Sequence, residues 1–399
     1  MTTSHIHSLQ GALYQRPRCA HFSECGGCVR QHVSYEAQLA LKTAYLEKIY
    51  GEGLPLLPII PCIDPWHYRN KMEFTFSQSK EGKRFLGLFR KRGRVVDLAE
   101  CHLVSPWFMQ VLEAVRLWWV ESSLAAYRMN DTGTLRTLIL REGRRTGDKL
   151  IMLTVSGNPT FAMSREQRQG FVEAISAVVG RERVAIFLRV QQICKGFETQ
   201  FFEMHLSGPD HLLEKCRVGG EEFTFKISPS SFFQPNTQMA EVIYSEAQRL
   251  IDEPVEHLMD LYAGIGTLGL VCARRAKRVT AIELNPYAVY DAQSNQELCG
   301  IEHYKIVCGD VGKILMEQAV KADCLIVDPP RTGLDKTAMQ IIQRMKPKKI
   351  IYISCNPQTQ VENIRALMQE GYSIEHLQPI DQFPHTPHIE MVAALVIKE

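Results

Sequence analysis

The chain has 399 residues, 45% of them hydrophobic and 23% charged, which excludes both a single small module and a long disordered tract. No apolar run approaches the roughly 18 residues of a membrane span, and the N-terminus lacks the apolar stretch of a secretory signal, so a soluble cytoplasmic protein with no membrane partner is expected. The net charge of +2 hides a division near residue 225: residues 1–225 hold 29 Lys and Arg against 23 Asp and Glu, and residues 226–399 hold 17 against 21. The basic part is the better candidate to meet a polyanion.

In chain order the first chemistry-bearing feature is Cys19 followed by Cys25-Gly-Gly-Cys28. With the remote Cys101 it offers four thiolates, a set suited to zinc or to an iron–sulfur cluster. Structural zinc more often shows two CxxC knuckles, so a compact trio plus one distant cysteine tilts toward a cluster. The paired glycines would let backbone amides point at sulfur. Disulfides are not expected in a cytoplasmic chain of twelve cysteines. His21 and His102 read as bystanders, and the other cysteines, Cys355 apart, as core or neutral surface.

A helix is predicted over 35–50, a candidate to pack on the second domain. The run KRFLGLFRKRGR, Lys83 to Arg94, sets six basic residues around an apolar strand. It reads as a basic hairpin able to grip RNA phosphates, or as a plain solvated turn. Strand-like segments RFLGLF, TLRTLILRE, KLIMLTVSG, AIFLRVQ, QFFEMHL and EFTFKI make a mainly antiparallel α+β domain the expectation for 1–225. From 226 to 399 apolar strands (HLMDLYAGIG, RVTAIELN, YKIVCGD, CLIVDPP, KKIIYISC, MVAALVI) alternate with helical stretches at 286–299 and 335–345, with Pro286 suited to a first turn. That alternation predicts a doubly wound α/β sheet.

Asp260-Leu-Tyr-Ala-Gly264-Ile-Gly266-Thr-Leu-Gly269 follows an apolar strand and opens a helix, where glycines permit a tight turn and a close backbone approach to ligand. Glu283, seventeen residues after Gly266, ends the next strand, where a carboxylate can accept from both hydroxyls of a cofactor ribose. NAD and S-adenosylmethionine share this geometry, but Asp260 and Tyr262 crowd a turn that a dinucleotide needs open, which favours adenosylmethionine. Asp328-Pro-Pro-Arg331 ends the fourth strand. Its arginine stands where amino-group methyltransferases carry an aromatic residue, which weighs against nitrogen methylation.

Ser354-Cys355-Asn356-Pro357 ends the fifth strand. Cys355 sits where a nucleophile would, although a strand-end cysteine is also an ordinary buried apolar residue. The reaction that needs it is specific. Carbon 5 of uracil is too weak a nucleophile for a methyl sulfonium until a thiolate adds at carbon 6, and a base must afterwards take the carbon 5 proton. Glu390, before the last apolar strand, is the candidate base, or else an ordinary glutamate at a strand start.

The set CxxxxxCGGC, SFFQPN, DLYAGIG, IELN, DPPR, SCNP and HIEMV, from Cys19 to Val392, resembles the bacterial RNA (uracil-5-)-methyltransferase family. The resemblance implies a class I, Rossmann-like, seven-stranded methyltransferase domain behind an α+β RNA-binding domain. It implies a [4Fe-4S] cluster on Cys19, Cys25, Cys28 and Cys101, with Cys355 as nucleophile and Glu390 as base. Gln234, Tyr262, Glu283 and Asp328 match adenosylmethionine positions, Asp310 would approach the adenine, and Arg331 is left open. Thr267 stands where many relatives carry Asn, so no side-chain contact is carried over there. Only eighteen residues precede Cys19, too few for the TRAM barrel of several members. The cysteines favour the 23S rRNA branch over the tRNA branch, and a monomer is expected. Two other readings are DNA cytosine methylation, discounted because DPPR lacks a cysteine, and a non-catalytic iron–sulfur RNA-binding protein.

Overall fold

The computed structural model describes residues 14–90, 93–194, 196–317 and 321–397; Lys91 and Arg92 of the basic run lie outside them. The chain divides into two units. Gln15–His32 with Trp66–Glu214 form one, and Val33–Pro65 with Lys215–Glu399 form most of the other.

In the first unit, β1 (Lys71–Gln78), β2 (Arg84–Phe89), β3 (Val95–Asp97), β4 (Leu135–Glu142), β5 (Lys149–Ser156), β6 (Val184–Gln192) and β7 (Gln200–Ser207) form one sheet in the order β3-β2-β1-β4-β5-β6-β7. All neighbours are antiparallel except β5 and β6, which are joined through helix Arg165–Val179 and run parallel. Ser164 starts that helix with a reciprocal capping box to Gln167. Alternation along the strands sends Met72, Phe74 and Phe76 of β1 and Leu138 and Leu140 of β4 into one core with Phe108 and Val111 of helix Pro106–Glu121 and Phe171 of helix Arg165–Val179. The described residues of the basic run lie on the β2–β3 hairpin, where Arg90 N–H donates to Arg94 O at 2.6 Å.

After the two-stranded ribbon of β8 (Leu212–Val218) and β9 (Glu221–Ile227), the second unit builds the expected seven-stranded α/β sheet. Its strands are β10 (Val255–Leu261), β11 (Ala276–Glu283), β12 (Tyr304–Cys308), β13 (Cys324–Val327), β14 (Lys349–Ser354), β15 (Tyr372–Ile380) and β16 (Glu390–Ile397), in the order β12-β11-β10-β13-β14-β16-β15. The strands from β12 to β14 are parallel; β16 inserts antiparallel between β14 and β15. Asn285 and Asn356 cap the helices that begin with Pro286 and Pro357, a proline position where the missing N–H is not needed. Helix Tyr35–Tyr50 belongs to this unit. Leu46 and Tyr50 join the core of Tyr352, Ile364, Leu367 and Tyr372, and the Tyr50 hydroxyl donates to Gln360 Oε1 at 2.5 Å. Among the described residues no helix is long and apolar enough to cross a membrane.

Candidate active site

The sheet order reverses at β10, with β11 on one side and β13 on the other, and ligands in such sheets bind beyond the carboxyl ends of the strands at that point. The glycine loop begins there. Tyr262, Gly264 and Gly266 all have positive φ, at 62°, 55° and 83°. A Cβ on Gly266 would stand 2.6 Å from the Tyr304 hydroxyl, and one on Gly269 would stand 2.8 Å from Asp260 Oδ2, so the helix can start this close to the strand only with glycine at both positions.

Glu283 is oriented by the same loop. Its Oε2 accepts from Gly264 N–H at 2.9 Å and its Oε1 from Asn285 N–H at 2.8 Å. Asp310 begins the turn after β12, where its Oδ1 accepts from Lys313 N–H at 3.0 Å. The Tyr262 hydroxyl points to Asp335 Oδ2 at 3.4 Å and feels the charge of Asp310. Gln234, 8% exposed, precedes helix Thr237–Arg249, and its Oε1 accepts from Gln382 Nε2 at 2.7 Å.

Two carboxyl groups at this edge stand far above their ordinary range. Asp260 is fully buried; its Oδ2 accepts from Gly269 N–H at 2.8 Å while its Oδ1 has no hydrogen-bond partner among the described residues. Burial, followed by the charges of Asp328 and Glu283, lifts it to about 7 against the pull of the Gly269 amide. Burial alone lifts Asp328 to about 7. A set of carboxyls this short of positive charge fits a ligand that carries cations, such as a sulfonium with an α-ammonium.

Cys355 follows β14, and Glu390 opens β16. The register Ser354 to Met391 sets the two residues beside each other at the end of adjacent strands. Burial raises the Cys355 thiol above its usual range, the charges of Glu390 and Asp328 raise it further, and the Arg331 guanidinium opposes them through a hydrogen bond and its charge. Glu390, 3% exposed, is pushed well up by burial and by Asp328, again against Arg331. The DPPR and SCNP loops are tied together: Asn356 Nδ2 and Thr359 Oγ1 donate to the carbonyl of Arg331 at 2.8 and 3.3 Å.

The segment before Glu390 is clamped by helix Tyr35–Tyr50. Lys42, 1% exposed, donates to Asp381 Oδ1 at 2.6 Å and to the Phe383 carbonyl at 3.1 Å. The Tyr35 hydroxyl reaches Asp381 Oδ2 at 2.9 Å, and Gln38 Oε1 accepts from His385 N–H at 2.8 Å. Sequence reasoning missed Lys42, Tyr35, Asp381 and Gln382, because their partners lie more than 140 residues away in the chain. The one available signal was an isolated DQFPHTPH stretch of polar and rigid residues ahead of an apolar strand.

In the other unit Cys19, Cys25, Cys28 and Cys101 line one cavity of about 350 Å³ together with Gly26, Gln31 and Arg69. Gly26 donates to the Phe89 carbonyl, and a Cβ there would stand 2.9 Å from that oxygen. Gly27 N–H points at Cys25 Sγ at 3.4 Å. Burial raises all four thiols, Cys28 to about 12 and Cys101 to about 11, and the neighbouring sulfurs add to the rise at Cys19, Cys28 and Cys101. Among the described residues no group of three or more His, Cys, Asp or Glu side chains is placed to hold a single metal ion. His21 Nε2 is taken up by Ala99 N–H at 3.0 Å. Of the remaining cysteines, Cys62, Cys216, Cys272 and Cys324 are buried, Cys299 is half-buried, and Cys194 and Cys308 are exposed.

Residues 187–398 match the tRNA (Uracil-5-)-methyltransferase family. An RNA methyltransferase of Protochlamydia amoebophila is 45% identical over 95% of this chain and 90% of its own length. One of Chlamydia trachomatis is 34% identical over 94% of this chain and 97% of its own. The crystal structure of Pyrococcus abyssi tRNA (uracil-54, C5)-methyltransferase in complex with S-adenosyl-L-homocysteine superposes with a TM-score of 0.71 at 27% identity, covering 93% of this chain and 86% of that one. The chain is an S-adenosylmethionine-dependent methyltransferase of the RNA (uracil-5-)-methyltransferase family.

Proposed function

We propose that the protein methylates carbon 5 of a uridine in structured RNA, 23S rRNA before tRNA, with Cys355 as nucleophile and Glu390 as general base. The observation that carries this reading is the pairing of a thiol and a buried carboxyl at the ends of adjacent strands β14 and β16, with Arg331 bearing on both. Bound at Gln234, Tyr262, Gly264, Gly266, Glu283, Asp310 and Asp328, S-adenosylmethionine supplies the methyl group. The Cys355 thiolate, favoured by Arg331, adds to carbon 6 of the flipped uracil, and the ring's electron pair moves to carbon 5. Once carbon 5 carries the methyl group, Glu390 removes its proton; the electrons return to the ring and expel the thiolate. All these residues come from one chain, so a monomer suffices, and the cytoplasm keeps the thiol reduced.

The preference for rRNA rests on the four cysteines. Cys19, Cys25, Cys28 and Cys101 would hold a [4Fe-4S] cluster, which supplies structural anchoring. The thiols of a four-iron cluster each bind a different iron and stand further apart than ligands of one ion, so a shared cavity lined by four half-buried cysteines is the fit that matters. A tRNA substrate is the second reading, favoured by the likeness to the Pyrococcus abyssi enzyme.

Cys355→Ala should abolish methyl transfer, and Glu390→Gln should slow elimination roughly 10²–10⁴-fold and trap a covalent protein–RNA adduct on denaturing gels. Mapping 5-methyluridine in rRNA and tRNA from cells lacking the protein identifies the substrate. Full activity of Cys355→Ala would discard the mechanism, and a mark lost from tRNA alone would discard the rRNA preference.

A further inference from the structure

The loop that carries Arg331 runs from Asp328, after β13, to Asp335, the cap of helix Lys336–Met345, and one helix face grips it. Asn356 Nδ2 and Thr359 Oγ1 hold the Arg331 carbonyl, and Asn363 Oδ1 accepts from Leu334 N–H at 3.1 Å. Asn356 caps helix Pro357–Gln369, with Thr359 and Asn363 following at i+3 and i+7, so the three share that face. Asn363 is doubly engaged, because the same Oδ1 accepts from the Tyr352 hydroxyl of β14 at 2.8 Å. One amide oxygen thus joins the Arg331 loop to the strand that delivers Cys355.

Gly333 shows how close the grip is. Its φ is 78°, and a Cβ there would stand 2.7 Å from Asn363 Oδ1 and 3.2 Å from Thr359 Cβ, so only glycine lets the loop lie on the helix. Arg331 itself is exposed, and a long side chain without packing around it keeps most of its rotamer freedom. Its guanidinium nonetheless reaches the Cys355 thiol, which also faces Glu390 of β16, Asp328 at the head of the loop and the Tyr352 hydroxyl. Where that guanidinium lies follows from where its backbone is anchored.

We propose that Asn363 is a positioning residue that holds the Arg331 loop against β14 and so keeps the Arg331 guanidinium beside the Cys355 sulfur. This rests on the assignment of Cys355 as nucleophile. Asn363 acts on the thiolate only through Arg331, and both of its bonds are accepted by one oxygen, which a carboxylate supplies equally well.

The measurement is the rate of covalent adduct formation with RNA, by rapid quench from about pH 6 to about pH 9, with thermal unfolding recorded beside it. Asn363→Ala should slow the adduct about tenfold near neutral pH, the rate equivalent of roughly one hydrogen bond, and displace the profile to higher pH, as Arg331→Ala does. Asn363→Asp, which can accept both bonds, should stay within about threefold of wild type. Gly333→Ala leaves Asn363 and Tyr352 in place and lifts only the loop, so it should reproduce the displacement even if Asn363→Ala unfolds early. With Arg331 gone, Asn363 has nothing left to position, and the double variant Arg331→Ala with Asn363→Ala should react no more slowly than Arg331→Ala alone. Losses that multiply in the double variant, or slowing without a displaced profile, would mean a structural role only and overturn the proposal, as would wild-type profiles in both Asn363→Ala and Gly333→Ala. If the wild-type protein forms no adduct, or Cys355→Ala keeps full activity, the nucleophile assignment falls, and the positioning role falls with it for that separate reason.

Discussion

At Cys355 the electrostatics give the reaction a pH dependence of definite sign. Burial, Glu390 and Asp328 all hold the thiol above its usual range, so the thiolate is the minor form near neutrality. The rate of covalent adduct formation should therefore climb about tenfold per pH unit from pH 6 to 9. Arg331→Ala, which removes the guanidinium that opposes them, should displace the whole profile to higher pH. Rapid-quench measurement of the adduct checks this, and a flat profile over that range would contradict it. A second dependence belongs to Asp260 and Asp328, each at about 7. A cation bound beside them favours their ionised forms, so cofactor binding should release protons and tighten between pH 6 and 8. The slope should be steeper for the sulfonium of S-adenosylmethionine than for neutral S-adenosylhomocysteine, as calorimetry in buffers of different ionisation enthalpy would read. The sign for stability is opposite: both carboxyls are raised in the folded state, so the ligand-free protein is expected to lose stability as pH rises from about 4 to about 7.

At the scale of single elements the helix Tyr35–Tyr50 acts as a brace. Lys42 and Asp381 form a buried ion pair, and removing one partner leaves the other charge unpaired in the interior. Lys42→Met should cost about 3–5 kcal/mol of unfolding free energy, whereas Lys48→Ala, on the exposed side of the same helix, should change it by less than about 0.5 kcal/mol. Urea denaturation of the two variants measures the difference. This brace also marks the boundary of what the sequence reveals. Strands such as Cys324–Val327 and Lys349–Ser354 were legible because a buried parallel strand is a run of apolar, often β-branched residues, and the helix start at Pro286 because proline and an Asn cap leave a local mark. The helix Tyr35–Tyr50 was legible too. That one face of it holds a buried lysine was not, since nothing near Lys42 in the chain distinguishes it from a solvated helical lysine. The parallel pairing of β5 with β6 escaped for a similar reason: the intervening helix Arg165–Val179 opens on five polar residues and buries only Phe171, Val172 and Ile175. The glycine loop, Glu283, Cys355 and Glu390 were legible as motifs, while the bonds around them, from Gly264 N–H to Glu283 and from Asn356 to the Arg331 carbonyl, are properties of the folded state.

At the scale of the whole molecule the near-zero charge conceals two parts of opposite sign, and Cys19, Cys25, Cys28 and Cys101 lie in the basic one. The cavity of Cys19, Cys25, Cys28 and Cys101 abuts the basic hairpin directly, since Gly26 N–H bonds to Phe89 O and Cys25 pairs across to Arg90. Protein purified without air should be brown, and chelation or oxidation should bleach it and loosen this loop, weakening RNA binding while leaving S-adenosylhomocysteine affinity intact. Visible absorbance with parallel RNA and cofactor titrations checks the expectation; a colourless protein containing zinc would refute the cluster.

The insertion of β16 between β14 and β15 has a further consequence in time. Glu390 opens that strand, and the segment just before it is gripped by a helix made some 340 residues earlier. During synthesis the helix Tyr35–Tyr50 must wait, its lysine solvated, until nearly the entire polypeptide has left the ribosome. The thiol and carboxyl that we propose as the catalytic pair are thus the last to be brought together, and a nascent chain that has already formed its first sheet still lacks them.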